Sequence, residues 1–388
     1  MKKYGIGVIG MGWMGETHSS AYINYKIKFA HTGIIPELII CSEILQERAQ
    51  RAKEKFGFKT YSTSWKDVVD HPEVDIVDIT APNSLHLEII EYCLQKNKHI
   101  NCEKPVGAFP QETLKAYELS KNSNKQSFVG FNYRWAPLVQ FSKELISSGK
   151  LGKIHHYKGS FFSCYAADKL GAYSWRFEKE NGLGAISDLL SHSIDMAHYL
   201  IGDIKSVSGI MKTFLHERPL AKDGQSHYAK ADENAEKKVV TNDDYAGAMV
   251  SFKNGCEGFI DASRVFYGPT SRHCFEIFAE KGSVKWNFEE MNVLEVFLKE
   301  EEDALNGYRK IYSSPKHPYH QYFNPSDGSS LGYDDLKVIE IANFLENIYS
   351  NKIIHQADFL CAAKVAKVIE AITQSNTSKK EEFVGEVE

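Results

Sequence analysis

No stretch of these 388 residues is long and apolar enough to span a bilayer, so a helical membrane protein is excluded. Charge of one sign is also missing. Lys and Arg total 46 against 51 Asp and Glu, a formal net charge of −5, so neither nucleic acid nor an anionic membrane is an expected partner. Cysteine is scarce. The seven (Cys41, Cys93, Cys102, Cys164, Cys256, Cys274 and Cys361) are scattered, odd in number and never spaced as a zinc or redox pair, which reads as free thiols in a reducing compartment. Repeats and low-complexity blocks are absent. The N-terminus enters a strand without the charged and apolar regions of a signal peptide, so a cytoplasmic location is expected and Asn376-Thr377-Ser378 is not read as a glycosylation site. What is present is a globular composition, 43% hydrophobic and 25% charged, in a chain long enough for two domains.

The first third alternates strand and helix. Tyr4 to Ile9 is an apolar strand followed at once by Gly10-Met11-Gly12-Trp13-Met14-Gly15. In a G-x-G-x-x-G turn the first glycine permits the tight bend and the second lets backbone approach a pyrophosphate. The third allows helix to pack on strand, and free N–H groups at the helix start hold the phosphates. Strands follow at Leu38–Cys41, Val74–Ile79, His99–Cys102 and Ser127–Gly130, with helices at Leu45–Phe56, Leu85–Gln95 and Gln111–Ser120. This pattern predicts an α/β Rossmann domain over 1–131. Ser42 closes the second strand, where an acidic residue usually reads the adenosine ribose. Glu43 follows it and no cation stands nearer than Arg48, so NAD is expected over NADP, with NADP still open.

The remainder, 132–388, changes character. A helix to about Ser148 leads into β-type segments at Ile154–Phe162, Ala246–Phe252, Gly258–Val265, His273–Ala279, Ser283–Asn287 and Leu294–Phe297. That predicts an α+β substrate domain built on one large, open, mainly antiparallel sheet. The polar stretch from His216 to Asp243 reads as a long loop or lid. Leu336–Tyr349 and Ala357–Ile372 read as amphipathic helices, the second (357–372) placed to pack back on the first domain. The tail from Ser375 reads as loose.

Three motifs carry chemistry. Ala81-Pro82-Asn83 with His86, and Glu103-Lys104-Pro105, fall at carboxyl ends of strands, the edge where open α/β sheets bind ligands. In the helix-like run from Gly184 to Asp195, Asp188 and His192 are four residues apart, one α-turn, so both side chains are expected on one face. A carboxylate beside an imidazole suits proton transfer to or from a hydroxyl near neutral pH, although such a pair alone is often a surface contact. Tyr133-Arg134-Trp135, Tyr165, Tyr173 and Trp175-Arg176 mix aromatics and arginines, which suits either plain core or a pocket stacking on sugar faces or nicotinamide. The histidines, including His155-His156, His198, His317 and His320, have no metal-site spacing, and no metal is expected.

The glycine turn, Ala81-Pro82-Asn83 with His86, Glu103-Lys104-Pro105, Asp188 with His192, Gly255 and Gly332-Tyr333-Asp334-Asp335 together resemble the Gfo/Idh/MocA oxidoreductases across nearly the whole chain. Tyr133-Arg134-Trp135, Trp175-Arg176 and His317-Pro318-Tyr319 resemble the branch containing levoglucosan dehydrogenase and related sugar and inositol dehydrogenases. Leu189-Leu190 departs from the glycine many relatives carry there, and Ser42 from the usual acidic residue. The resemblance implies NAD(P)-dependent oxidation of a secondary hydroxyl on a cyclic polyol or pyranose, or the reverse. Lys104, His192 and Asp188 would be catalytic. Gly10, Gly12, Trp13, Met14, Gly15, Ser42, Glu43, Ala81, Pro82, Asn83, His86, Glu103, Lys104 and Arg134 would hold the cofactor. Tyr133, Tyr165, Trp175, Arg176 and His317 would join the catalytic three around the sugar. It also implies a homodimer or homotetramer. An NAD-dependent glycosidase on the same fold and a non-catalytic dinucleotide sensor remain open.

Overall fold

The computed structural model describes residues 1–220, 230–300 and 303–387. They form two compact units. Residues 1–135, 319–325 and 330–363 make the first, and 136–318, 326–329 and 364–388 the second. The boundary expected at 131/132 therefore lies at Trp135/Ala136, and two late segments assigned to the second domain cluster with the first.

The first unit is a six-stranded parallel sheet of β1 (Lys2–Ile9), β2 (Ile34–Ser42), β3 (Thr60–Ser62), β4 (Ile76–Ile79), β5 (His99–Cys102) and β6 (Ser127–Val129). Its order is β3-β2-β1-β4-β5-β6. Strands β1 and β4 are buried almost throughout, as strands covered on two sides must be, and are apolar except for Lys2 and Lys3 at the start of β1 and the buried Asp78 in β4. The helices are α1 (Trp13–Lys28), α2 (Gln46–Phe56), α3 (Trp65–Asp70), α4 (His86–Gln95) and α5 (Pro110–Lys121). Helix α2 stops at Gly57, whose φ of +77° a side chain would resist, and α5 opens on proline at its first turn. The strand at Thr60–Ser62 and the short α3 escape sequence reading because each is too brief to show a period. Strand order reverses between β1 and β4, and there the glycine turn meets the Thr80–Ala81 segment.

One helix of this unit arrives from far along the chain. Tyr333–Ser350, the late helix, packs on α1 and is buried on nearly every face from Leu336 to Leu345. Lys337 and Glu340 are inside it with no exposure.

The second unit begins with α6 (Pro137–Ser147), then β7 (Ile154–Ser163), α7 (Ser191–Leu200) and β8 (Ile204–Lys212). Strands β9 (Glu217–Pro219), β10 (Lys237–Val239), β11 (Tyr245–Phe252), β12 (Glu257–Ser263), β13 (Ser271–Ala279), β14 (Gly282–Asn287), β15 (Val293–Leu298), β16 (Arg309–Tyr312) and β17 (Glu382–Phe383) follow. Nine of them form one sheet, β16-β15-β14-β13-β7-β12-β11-β8-β17. The sheet is mainly antiparallel, as expected, and its one parallel pair among the described residues is β7 with β12. The chain between them, with α7 in it, is long enough for the crossover a parallel pair requires. Helices α6 and α7 lie against one face, and the other leaves Ile210, Met249 and Phe278 exposed.

Two further expectations change. The polar 216–243 stretch is not one open loop, since β9 and β10 pair within it and Arg218 is 1% exposed; residues 221–229 lie outside the described residues. The tail is not loose. Helix Phe359–Ser378 runs past Ile372, Ser375 accepts the Gly209 N–H at 2.8 Å, and β17 adds to the edge of β8. Backbone donors on β8 needed partners, and the tail supplies them. Among the described residues no helix is long and apolar enough to cross a membrane.

Candidate active site

In the first unit the three glycines have three distinct surroundings. Gly10 has φ +89°, and a Cβ there would lie 2.8 Å from the Thr80 carbonyl oxygen. A Cβ on Gly15 would lie 2.0 Å from the Gly10 oxygen, so helix and strand touch at that point. At Gly12 a Cβ would meet no described residue within 4 Å. The turn is pinned from below by Gly10 N–H donating to Ser42 O at 2.9 Å and the Thr80 hydroxyl donating to Gly10 O at 2.6 Å. No side chain caps α1 at Gly12. A bend, a bare face and a helix start without a side-chain cap fit a dinucleotide pyrophosphate. Trp13, 64% exposed, stacks on Tyr333 of the late helix at 5.5 Å, and the Tyr333 hydroxyl reaches Met14.

Glu43 follows the buried Ser42 and turns its carboxylate back to the glycine turn, accepting the Met11 N–H at 3.2 Å and its neighbour Ile44 N–H at 2.9 Å. It thus places negative charge beside the turn.

The Ala81-Pro82-Asn83 and Glu103-Lys104-Pro105 segments are joined through His86. Its ring nitrogens lie 2.8 Å from Ala81 O and 3.0 Å from Pro105 O, and burial lowers its pKa against the pull of these two bonds. His86 therefore braces two loops. The Lys104–Pro105 bond is cis. Lys104 is half-buried, whereas Glu103 turns inward. Its Oε1 takes His18 Nε2 at 3.0 Å and Lys337 Nζ at 2.5 Å, and its Oε2 accepts the Lys104 N–H at 3.2 Å. The cofactor role expected of Glu103 meets a carboxylate already engaged by the protein. Arg134 is likewise 3% exposed and donates to Gln356 O at 2.5 Å. Tyr133, also buried, meets the Tyr333 ring edge-on.

Around Glu103 lies a buried ionic cluster that sequence reading missed. His18 Nδ1 contacts Asp78 at 2.8 Å, Asn101 donates to Asp78 at 3.0 Å, and Lys337 reaches Glu340 at 3.0 Å. Burial opposes charge on His18, but Asp78 and hydrogen bonding to Asp78 and Glu103 lift its pKa to about 9. Burial would raise Glu103, yet Lys337 and His18 hold it well below the usual carboxylate range. Burial pushes Glu340 up to about 7 despite Lys337. Donor atoms of His18, Glu103 and Glu340 lie within 4.8 Å of one another, but the Lys337 ammonium already bonds both carboxylates, so the cation of this cluster is a side chain.

In the second unit the run from Gly184 is helical but not plainly α. Ile186–Leu190 forms a π-turn carrying Asp188, and α7 begins at Ser191 with His192. The wider turn alters the angular offset expected from α-spacing, and such turns recur at functional sites. Asp243 anchors it, accepting the N–H of Gly184 and of Ile186 at 2.8 Å each. A Cβ on Gly184 would fall 1.9 Å from the Asp243 carbonyl oxygen. The Tyr165 hydroxyl donates to Asp188 at 2.8 Å, and burial with the Asp188 charge pushes its pKa up, so it stays a donor. His192 is 6% exposed near Phe161, on which the buried His273 stacks; desolvation takes His273 down to about 3 and keeps it neutral.

Trp175 is exposed with Arg176 over its ring at 4.7 Å, while His317 accepts the Ser314 N–H and meets Phe141 edge-on. The segment carrying Tyr165, Trp175 and Arg176 is held by two buried arginines. Arg264 pairs with Asp244 at 2.9 Å and donates to Arg176 O, Arg218 donates to Asp168 O and Ala166 O, and both flank the Phe177 ring. No spacing signal marked Arg218, Arg264 or Asn242-Asp243-Asp244.

Residues 4–131 match the family described as "Oxidoreductase family, NAD-binding Rossmann fold", and residues 139–285 match the "GFO/IDH/MocA C-terminal domain". Levoglucosan dehydrogenase of Pseudarthrobacter phenanthrenivorans is 33% identical over 386 residues, covering 99% of this chain and 98% of that one. The scyllo-inositol 2-dehydrogenase (NAD(+)) of Bacillus subtilis is 29% identical, covering 71% of this chain and 72% of its own. Among solved structures, levoglucosan dehydrogenase in complex with NADH and levoglucosan superposes with a TM-score of 0.93 at 32% identity, covering 99% of this chain and 100% of the other. An oxidoreductase domain protein from Kribbella flavida gives 0.91 at 30% identity over the full length of both.

Proposed function

The chain belongs to the Gfo/Idh/MocA oxidoreductases, whose first domain is an NAD-binding Rossmann fold, and we propose that it oxidises a secondary hydroxyl of a pyranose or cyclic polyol, or reduces the corresponding ketone. The observation that carries this reading is the setting of Asp188. Its carboxylate, on a π-turn four residues before His192, already accepts one hydroxyl hydrogen bond, from Tyr165. A sugar hydroxyl offers the same donor chemistry. Likeness to levoglucosan dehydrogenase over nearly the whole chain, and more distantly to inositol dehydrogenases, supports the substrate class.

Bound NAD supplies the acceptor for the hydride that leaves the substrate carbon. The first unit contributes the glycine turn for the pyrophosphate, Ser42 and Glu43 for the ribose, and Asn83 with the His86-braced loop at the sheet edge. Its Lys104 ammonium stabilises negative charge growing on the reacting oxygen. His192 is assigned the role of general base for the hydroxyl proton and Asp188 that of acceptor for a neighbouring hydroxyl. Tyr133, Tyr165, Trp175, Arg176 and His317 are assigned to the faces and remaining hydroxyls of the ring. The apolar residues exposed on the second unit's sheet support a homo-oligomer.

Incubating the purified protein with NAD and a panel of levoglucosan, inositols and hexoses, while following NADH, tests the assignment. Net NADH with at least one ring alcohol is expected. Glycoside cleavage without net NADH would replace the reading with an NAD-dependent glycosidase.

A further inference from the structure

Glu103 and Lys104 are neighbours that face opposite demands. Lys104 is half-buried at the sheet edge, and Glu103 turns into the interior of the same unit. There its carboxylate is gripped on three sides: by His18 Nε2 from α1 at 3.0 Å, by Lys337 Nζ from the late helix at 2.5 Å and by the Lys104 N–H at 3.2 Å. A fourth side is closed by backbone, since a Cβ on Gly130 would lie 2.5 Å from Glu103 Oε1. One carboxylate thus bridges a fully buried ammonium and the backbone nitrogen of Lys104.

Burying such a cluster is not by itself a gain in stability over apolar packing. Removing two charges from water costs several kcal/mol each, and apolar residues of similar size often serve folding as well or better. A buried lysine reaching a carboxylate 234 residues earlier in the chain is better explained by what it fixes than by what it adds to stability. What it fixes is the strand end from which Lys104 projects.

We propose that Lys337 is a positioning residue for Lys104, acting through the Glu103 carboxylate. Lys337 holds Glu103 Oε1, Glu103 Oε2 holds the Lys104 amide, and the late helix thereby sets where the Lys104 ammonium stands. His18, paired with Asp78, supports the same carboxylate from α1. The cluster's charges match this arrangement: His18 and Lys337 are cationic against Asp78 and Glu103, with Glu340 as second partner to Lys337. The proposal rests on the reading of Lys104 as a catalytic group.

The test compares Lys337→Met, Lys337→Arg and Lys104→Met with the parent enzyme. Each is measured for kcat and KM with the sugar the parent turns over, for NADH affinity and stoichiometry by fluorescence titration, and for melting temperature. A displacement of about 1 Å at a reacting group can cost up to about 10²-fold, so Lys337→Met should lower kcat per NADH-binding site by roughly 10- to 10²-fold. NADH affinity and KM should stay within about threefold, and Lys337→Arg, which keeps the charge and a donor, should recover most of the rate. A purely structural lysine would lower the melting temperature and the fraction of binding-competent protein but leave kcat per site unchanged, and that result overturns the proposal. If Lys337→Met does not fold, Glu103→Gln keeps the shape while weakening both grips and should show the same fall; an unchanged kcat per site there also overturns it. Should Lys104→Met itself retain turnover, the assignment of Lys104 fails first. An inactive Lys104→Met beside an unimpaired Lys337→Met refutes the positioning role alone.

Discussion

Substituting alanine at two glycines of one turn should give opposite phenotypes. A Cβ at Gly15 would stand 2.0 Å from the Gly10 carbonyl oxygen, 1.4 Å inside the 3.4 Å at which ordinary contact begins. The obstacle is backbone, so helix α1 must move off β1. The cost should reach or exceed the ~1–3 kcal/mol typical of overpacking. At about 2–4 °C per kcal/mol for a domain of this size, Gly15→Ala should melt roughly 2–12 °C below the parent. At Gly12 the added Cβ meets no described residue within 4 Å, and the intrinsic cost is a poorer helix cap, at most about 1 kcal/mol. Gly12→Ala should therefore fold normally. If that bare face receives the pyrophosphate, however, the methyl group occupies the approach path, and loss of about 1.4 kcal/mol or more corresponds to at least tenfold weaker NADH binding. Thermal melts and NADH titrations of both variants decide it. A Gly12→Ala protein that binds NADH like the parent would remove the pyrophosphate from this turn, and an unshifted Gly15→Ala melt would refute the packing argument.

With Glu43 held at the glycine turn, kcat/KM should favour NAD over NADP by tenfold or more; a reversed preference would mean a cation reaches the ribose. His192→Asn should cut oxidation by roughly 10²–10⁴ and erase the acidic limb of the kcat/KM profile, because a base must lose its proton to act; a surviving limb assigns the proton elsewhere. For stability the decisive group is His18. Its pKa is raised in the folded protein from 6.5 to about 9, so it binds more proton folded than unfolded. Its contribution, on the order of 3 kcal/mol, is full below about pH 6.5 and is lost as pH rises through about 9. Glu340, raised from 4.5 to about 7, acts with the same sign at lower pH. Urea midpoints should fall between about pH 6 and pH 9.5, and a rising midpoint would refute the ionisation assigned to the cluster.

Local patterns in the chain disclosed much of the fold. The strand–glycine turn–helix start, the apolar strands β1 and β4, and Glu103-Lys104-Pro105 at a strand end all show themselves within a few residues, because period and turn chemistry are short-range. What stayed hidden depends on distance. Lys337 and Glu340 read as the polar face of an amphipathic helix, since nothing nearby says that Glu103 and His18 will receive them. Asp243 reads as a loop residue until its two N–H donors on the turn bearing Asp188 are in view. Arg218 lay in a stretch poor in strand formers, where its burial against Phe177 could not be inferred. The π-turn at Ile186–Leu190 has the composition of any α-helix. The parallel β7–β12 pair and the docked tail follow from which strand edges needed partners, a property of the assembled sheet.

Lys104, carried on the strand end that Glu103 anchors, is proposed as a catalytic group of an NAD-dependent sugar or polyol dehydrogenase. The most direct measurement is the rate of NADH formation by Lys104→Met beside the parent, on the best sugar of the panel, with NADH affinity measured on both. Unchanged folding and NADH binding are expected, with turnover lower by roughly 10²–10³, the usual loss when a stabiliser of transition-state charge is removed. Turnover within a few-fold of the parent would contradict the proposal.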